Sequence, residues 1–450
     1  MKKPWMVPVV VLASSCSLFQ AKIAPYPSGV TFPLEEAGRI DYQGRIVGQL
    51  VQGEEGHVYF STDQGIVYCL DGRGQKKLWQ FAHRSPFGCA PALGPDKLVL
   101  WDRDNAVLCL DKDGKQLWKV KVSARLSSGA ALDQERVYVG TEEGSLLALS
   151  QANGDLLWHF EAGWKIEAEP VLWGDLIIAC SLNGSLNFVD RRGRSRGTFE
   201  IGGPIRISPL VDGDRLYVGT EDSVFYCVNL KKWKRAWRFR AAGRLLASPR
   251  TDEKSVYFPA SNSVLYAVNK KGGEIKWWWI MPARSAFRLE IESDKILATS
   301  FSPVFVCLEK KTGRELGRYD LKAEVRSNPL YLDPHLLIPI TDSIPDQGEV
   351  VFLRKKVGVE LKSSLSSPQP AGTEISFTAS TVGFYLPRCE FTLRQGEEVS
   401  VVQPESEKNT WVWFAEKEGK YTVGVRVKDE KLAREAHLAF VINQKKGAVK

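Results

Sequence analysis

The stretch Ala130-Ala131-Leu132-Asp133-Gln134-Glu135-Arg136-Val137-Tyr138-Val139-Gly140-Thr141-Glu142-Glu143-Gly144-Ser145-Leu146-Leu147-Ala148-Leu149 holds three short β runs within twenty residues. Ala130 to Leu132 is apolar and ends at Asp133-Gln134. Arg136 to Thr141 is β-branched and aromatic, and Glu143-Gly144 is a two-residue turn into Ser145 to Leu149. Asn153-Gly154 turns the chain again, and Leu156 to Glu161 is a fourth run carrying Trp158. Short β runs broken by Gly, Asn and Asp turns are the signature of successive hairpins.

Moving outward, the unit recurs. Cys69, Cys109, Ala148, Phe188, Cys227, Ala267 and Cys307 follow one another at steps of 39 or 40 residues, with Phe352 45 later. Trp79, Trp118, Trp158, Thr198, Trp237, Trp277 and Gly317 form a second register, and Pro91, Ala130, Pro170, Pro209, Pro249, Leu289 and Pro329 a third. Four strands per repeat of about 40 residues is the blade of a β-propeller. The expected fold is all-β: an eight-bladed propeller over residues 37–356, followed by a β-sandwich over 357–450. The eighth repeat, Asn328 to Lys355, has only three strands. Gly38-Arg39-Ile40-Asp41-Tyr42 matches the fourth strand of the seventh repeat, Gly317-Arg318-Tyr319-Asp320-Leu321, so an N-terminal strand is expected to complete the last blade. That closure removes the free edges of an open sheet. Seven blades is the alternative if the eighth repeat packs otherwise.

After Lys355-Lys356 the period stops, and about seven short alternating strands read as a β-sandwich. Gly419-Lys420-Tyr421-Thr422-Val423 resembles the Gly-x-Tyr-x-Val element of immunoglobulin-like and PKD-like domains, with Tyr421 at a tyrosine corner. Cys389 stands alone there, so no inter-sheet disulfide is expected.

The propeller pattern, Val-Tyr-Val-Gly-Thr-x-x-Gly, then Leu-x-Ala-Leu, a Gly turn and Leu-Leu-Trp, resembles the PQQ-like propeller repeats. Among these it is similar to the BamB family, lipoproteins of the outer-membrane barrel-assembly machinery. The resemblance implies a non-enzymatic envelope scaffold, with barrel-assembly proteins as partners. It carries no binding residue over to a numbered position here, and the C-terminal domain is foreign to that family.

Residues 1–16 read as an export signal: Lys2 and Lys3, an apolar run from Met6 to Leu12, then Ala13-Ser14-Ser15-Cys16. Cys16 is the expected lipidation site, anchoring the chain to a membrane as an outer-membrane or periplasmic lipoprotein of a Gram-negative-type bacterium. Leu12 lies one place early for a lipobox, and simple cleavage nearby is the other reading. Residues 17–36 are then a tether. The chain has eight cysteines. Four share the small third-strand position with Ala148 and Ala267, so they read as buried hydrophobes rather than disulfide partners.

No phosphate loop, nucleophile elbow, haem motif or metal-ligand spacing occurs, and the five histidines are scattered. PQQ-dependent dehydrogenases typically stack their quinone on adjacent half-cystines, and this chain has no Cys-Cys pair. No cofactor, no metal and no catalytic residue is expected, and a quinoprotein oxidoreductase is the remotest alternative. Candidate binding residues lie in the loops entering each innermost strand. Arg45, Arg125, Lys165, Arg244 and Arg284 share one register, with Arg206 and Arg326 in loops lacking a base there. Converging like charges at a channel mouth favour an acidic partner or an anionic ligand such as a polysaccharide, while bonding to neighbouring blades is the bland alternative. Trp164, Trp233 and Trp278 fall outside the tryptophan register and are candidate aromatic contacts. The net charge of +8 includes clusters at Arg191 to Arg196 and Lys231 to Arg235. In an exported chain these suit a solvated edge or anionic lipid, not nucleic acid.

Overall fold

The computed structural model describes residues 30–341 and 346–444. Eight four-stranded antiparallel sheets come first, numbered here as blades 1 to 8. Blade 1 spans 46–82, blade 2 92–121, blade 3 126–161, blade 4 171–200, blade 5 210–240, blade 6 250–280 and blade 7 290–320. Blade 8 takes three strands from 330–355 and its outermost strand from Leu34–Gln43, which pairs antiparallel with Gln347–Lys355. The expected closure is therefore present, and the blade count is eight.

The ring closes through shared cores. Apolar clusters join blades 1 to 3, 3 to 4, 4 to 5, 5 to 6, 6 to 7, 7 to 8 and 8 to 1. In each blade the second and third strands are buried on both faces, which is why they read as continuous apolar runs.

The register tryptophans lock each blade to the next. Trp79, Trp118, Trp158, Trp237 and Trp277 donate their indole N–H to a carbonyl 33 residues on, at 2.8 to 3.1 Å. Each ring lies over a positive-φ glycine in the neighbouring turn: Gly114, Gly154, Gly193, Gly273 or Gly313. A Cβ on Gly193 would sit 2.8 Å from the Trp158 ring, so only glycine admits the indole.

Strand pairing places Gly197, not Thr198, at the tryptophan position of blade 4, opposite Phe188. The aromatic has changed sides. Trp233 occupies the turn position of blade 5 that is glycine in its neighbours, with φ of 47°, and lies over Gly197 and against Phe188 at 4.3 Å between centroids. Blade 7 shows the same substitution. Gly317 leaves a space that Phe32 fills, stacking on Phe305. Phe32, Val30 and Leu34 fall within the stretch expected to be a tether, but they pack on blades 7 and 8. Cys16 and residues 17–29 lie outside the described residues.

Residues 358–443 form a three-stranded and a five-stranded sheet around one core that includes Ile375, Phe377, Phe391, Val425 and Phe440. Tyr421 donates its hydroxyl to the Lys417 carbonyl at 3.0 Å, as a tyrosine corner does.

All seven cysteines among the described residues are free and buried. Burial pushes the Cys89 and Cys180 thiols up to about 12. Buried, protonated thiols are inert. We therefore expect none of the seven to react with a maleimide in the native protein and all seven to react in denaturant, counted by intact mass.

Candidate functional site

Each blade begins and ends on one face of the ring. The loops into the innermost strands therefore share that face with the turns between second and third strands. The seven basic residues from the sequence stand there, and four of them are joined into a continuous ion-pair circuit with carboxylates. Arg125 Nε lies 3.2 Å from both Glu142 and Glu143. Lys165 bridges Glu142 at 3.3 Å and Glu167 at 2.9 Å. Arg206 bonds Glu167 and reaches Glu221 at 2.7 Å, and Arg244 lies 3.7 Å from the same Glu221. Burial pushes the Glu167 carboxyl up, but the Lys165 and Arg206 bonds more than offset this and hold it below its usual value. The Glu167 bond in turn raises Lys165.

Sequence reasoning counted the bases and missed these acids. The signal was present: Thr141-Glu142 and Thr220-Glu221 are the same turn position two repeats apart. The blade 3 to 6 sector is thus charge-balanced rather than uniformly basic. The remaining three bases are less engaged. Arg326 pairs with Glu324 at 3.0 Å, and Arg284 lies over the Phe301 ring at 5.7 Å. Arg45 exchanges backbone bonds with Asp63, its N–H donating to Oδ1 and its carbonyl accepting from the Asp63 N–H, and its side chain has no ion pair among the described residues.

Exposed ion pairs of this kind are each worth less than about 1 kcal/mol, so the circuit orients side chains more than it stabilises the fold. Glu167→Gln is expected to change the unfolding free energy by no more than about 1 kcal/mol in urea titration. A carboxylate whose folded value is depressed stabilises above its unfolded value and loses that contribution as pH falls through the folded one. Glu167's bonds should therefore survive to a pH below the ordinary carboxylate range, which carbon-detected NMR titration of its carboxyl would show.

The three candidate tryptophans separate. Trp164 is 59% exposed, in the loop between Ala162 and Lys165, beside the Gly144 turn and next in sequence to Lys165 of the circuit. Trp278 is 58% exposed on the outermost strand of blade 6, at the rim. Trp233, 38% exposed, is committed to the blade 4 to 5 contact described above and is not a free contact residue.

Behind the face, the eight innermost strands enclose a channel with a cavity of about 470 Å³. Among the described residues, no cluster of three or more His, Cys, Asp or Glu is placed to hold a metal ion. No helix among them is long and apolar enough to cross a membrane.

Comparison with known proteins agrees with this architecture. The structure of BamB from Moraxella catarrhalis superposes with a TM-score of 0.59 at 16% identity, covering 71% of this chain and all of that one. Shewanella oneidensis outer membrane protein assembly factor BamB is 27% identical over 110 residues, 21% of this chain and 28% of that protein. The beta-alanine-activating enzyme of Danio rerio is 31% identical over 102 residues, 21% of this chain and 9% of that protein. The alignments span less than a third of either curated relative. A family model described as outer membrane protein assembly factor BamB matches residues 35–198 and 182–286, more than half of the chain, and the chain belongs to that family.

Proposed function

We propose that this protein is a non-enzymatic cell-envelope scaffold of the BamB kind, exported, held at the membrane through Cys16 and acting in outer-membrane protein assembly. The observation that carries the reading is Trp164, exposed on the loop face between the Gly144 turn and Lys165 of the ion-pair circuit. An exposed aromatic inside a polar rim is the arrangement of a protein-binding hot spot: the ring fills a pocket on the partner, and the surrounding pairs fix orientation and exclude water. The C-terminal sandwich, which we take to be immunoglobulin-like, supplies a second contact surface through Val401, Val412 and Phe414, all exposed.

Affinity purification of the tagged full chain from detergent-solubilised envelopes of its host tests this. The expected result is co-enrichment of barrel-assembly components. Arg45, Arg284 and Arg326, less compensated than the rest of the face, favour a second reading, a receptor for an anionic polysaccharide. Glycan binding abolished by Arg284→Glu, with no assembly component enriched, would replace the first reading with the second.

A further inference from the structure

The channel wall is built of stacked rings, one residue per blade, set by the pairing of first and second strands. The ring nearest the loop face includes Glu167 on blade 4 and Arg206 on blade 5, adjacent and bonded. A ring on the far side includes Arg250 on blade 6 and Glu290 on blade 7, adjacent and paired at 2.9 Å. The middle ring lies two residues before the pairs Val51↔Tyr59, Ala92↔Val99, Ala131↔Tyr138, Val171↔Ile178 and their equivalents. On six blades it is small or neutral: Gln49, Ala90, Gly129, Ser208, Ser248 and Asn328. On blades 4 and 7 it is Glu169 and Arg288.

These two charges stand three blades apart and, among the described residues, neither side chain has an ion pair or hydrogen bond. Arg288 Nε is buried without a partner. Burial, then repulsion from Arg250, pushes the Arg288 guanidinium down to about 10 against the weaker attraction of Glu290 and Glu169, and burial raises the Glu169 carboxyl more than the attraction of Arg288 lowers it. Glu169 leans over blade 3, because a Cβ on Gly129 would lie 2.9 Å from its Oε2. Blade 3 is diametrically across an eight-bladed ring from blade 7, so the Glu169 carboxylate lies on the side of the channel opposite the strand that carries Arg288, and both line the same cavity. The other charges named in these rings, Glu167 with Arg206 and Arg250 with Glu290, are paired between neighbouring blades. Both residues are half-buried, with Arg288 Nε fully enclosed; a charge held partly out of water without a counter-ion costs stability, and perturbed ionisable groups in a concave site mark function.

We propose that the middle ring is a binding site for a small zwitterion, its oxyanion on Arg288 and its ammonium on Glu169, with Ser208, Ser248 and Gln49 offering hydrogen bonds between them. A ligand carrying both signs, separated by the width of the gap, satisfies both groups at once, and a single-sign ion leaves one of them unpaired. This is independent of the docking role of the loop face.

Calorimetric titration of the purified full chain with ω-amino acids of one to six methylenes, alongside acetate, inorganic phosphate and methylammonium, tests it. Binding is expected to peak at one chain length and to exceed each single-sign ion at least about 10-fold. Arg288→Gln and Glu169→Gln should each weaken it about 30-fold or more, the scale of unpairing a buried charge. Both variants should melt at or above the ligand-free parent, because each removes a half-buried charge that has no ion pair. That readout separates a lost site from a lost fold. No heat with any member of the series, equal binding of acetate or phosphate, or undiminished binding by both variants overturns the proposal.

Discussion

Trp158→Ala is expected to destabilise the propeller by about 3–5 kcal/mol, the range for removing a large aromatic from a packed contact. The variant empties the space over Gly193 and leaves the Arg191 carbonyl without its indole donor. Trp233→Ala should cost a similar amount although it lies outside the sequence register, because it fills the same contact from the opposite side. Relief of its positive φ is a smaller, opposing effect only if the replacement is glycine. Trp278→Ala, at the exposed rim, should stay within about 0.5 kcal/mol. Denaturant titration of the three variants decides the matter: equal costs for Trp158 and Trp278, or a negligible cost for Trp233, would contradict the blade-locking account. A swap back is also informative. Gly197→Trp alone places a Cβ 3.0 Å from the Trp233 ring, so it should destabilise, and combining it with Trp233→Gly should recover at least about 1 kcal/mol relative to the sum of the single changes.

This pair of residues shows where the sequence stops being legible. The 40-residue ladder specifies the blades because every copy repeats the same local turn chemistry, and closure could be read because Gly38 to Tyr42 copies Gly317 to Leu321. Trp233 could not be placed the same way. Read as one residue in one turn it is an unregistered, free aromatic, and its role appears only when Gly197 and the next blade are seen together. The same holds for Phe32, which sits in a Pro-rich stretch that resembles a tether and becomes the plug of blade 7 once Gly317 lacks a side chain. At the candidate site the bases were legible by register. Glu142, Glu143 and Glu221 come from the turn between second and third strands and Glu167 from the entry loop itself, so the alternation of charge shows only when two loops are compared across neighbouring blades. Glu169 and Arg288 were within reach: each directly precedes a mark of the Pro91 series, and only that offset needed comparing across repeats.

Trp164→Ala is expected to leave folding intact and to weaken capture of the proposed barrel-assembly partner about 30-fold, the 2 kcal/mol or more that marks a hot-spot aromatic. Its side chain makes no blade contact comparable with Trp158, so thermal unfolding should match the parent within about 2 °C. Arg206→Glu should act differently. It sets a new carboxylate between those of Glu167 and Glu221, and it should slow association and alter its salt dependence more than dissociation. Surface-captured partner, titrated with each variant in turn at two ionic strengths, separates the two effects.

The central claim is that the loop face, centred on Trp164, is where this scaffold meets a protein partner. Site-specific photo-crosslinking in intact cells addresses it most directly, with the reactive side chain placed at 164, at 278 on the blade 6 rim, or at 192 on the opposite face. The expected result is a crosslink to a barrel-assembly component from 164 and none from 278 or 192. Crosslinks from 192 or 278 with none from 164 would contradict the claim.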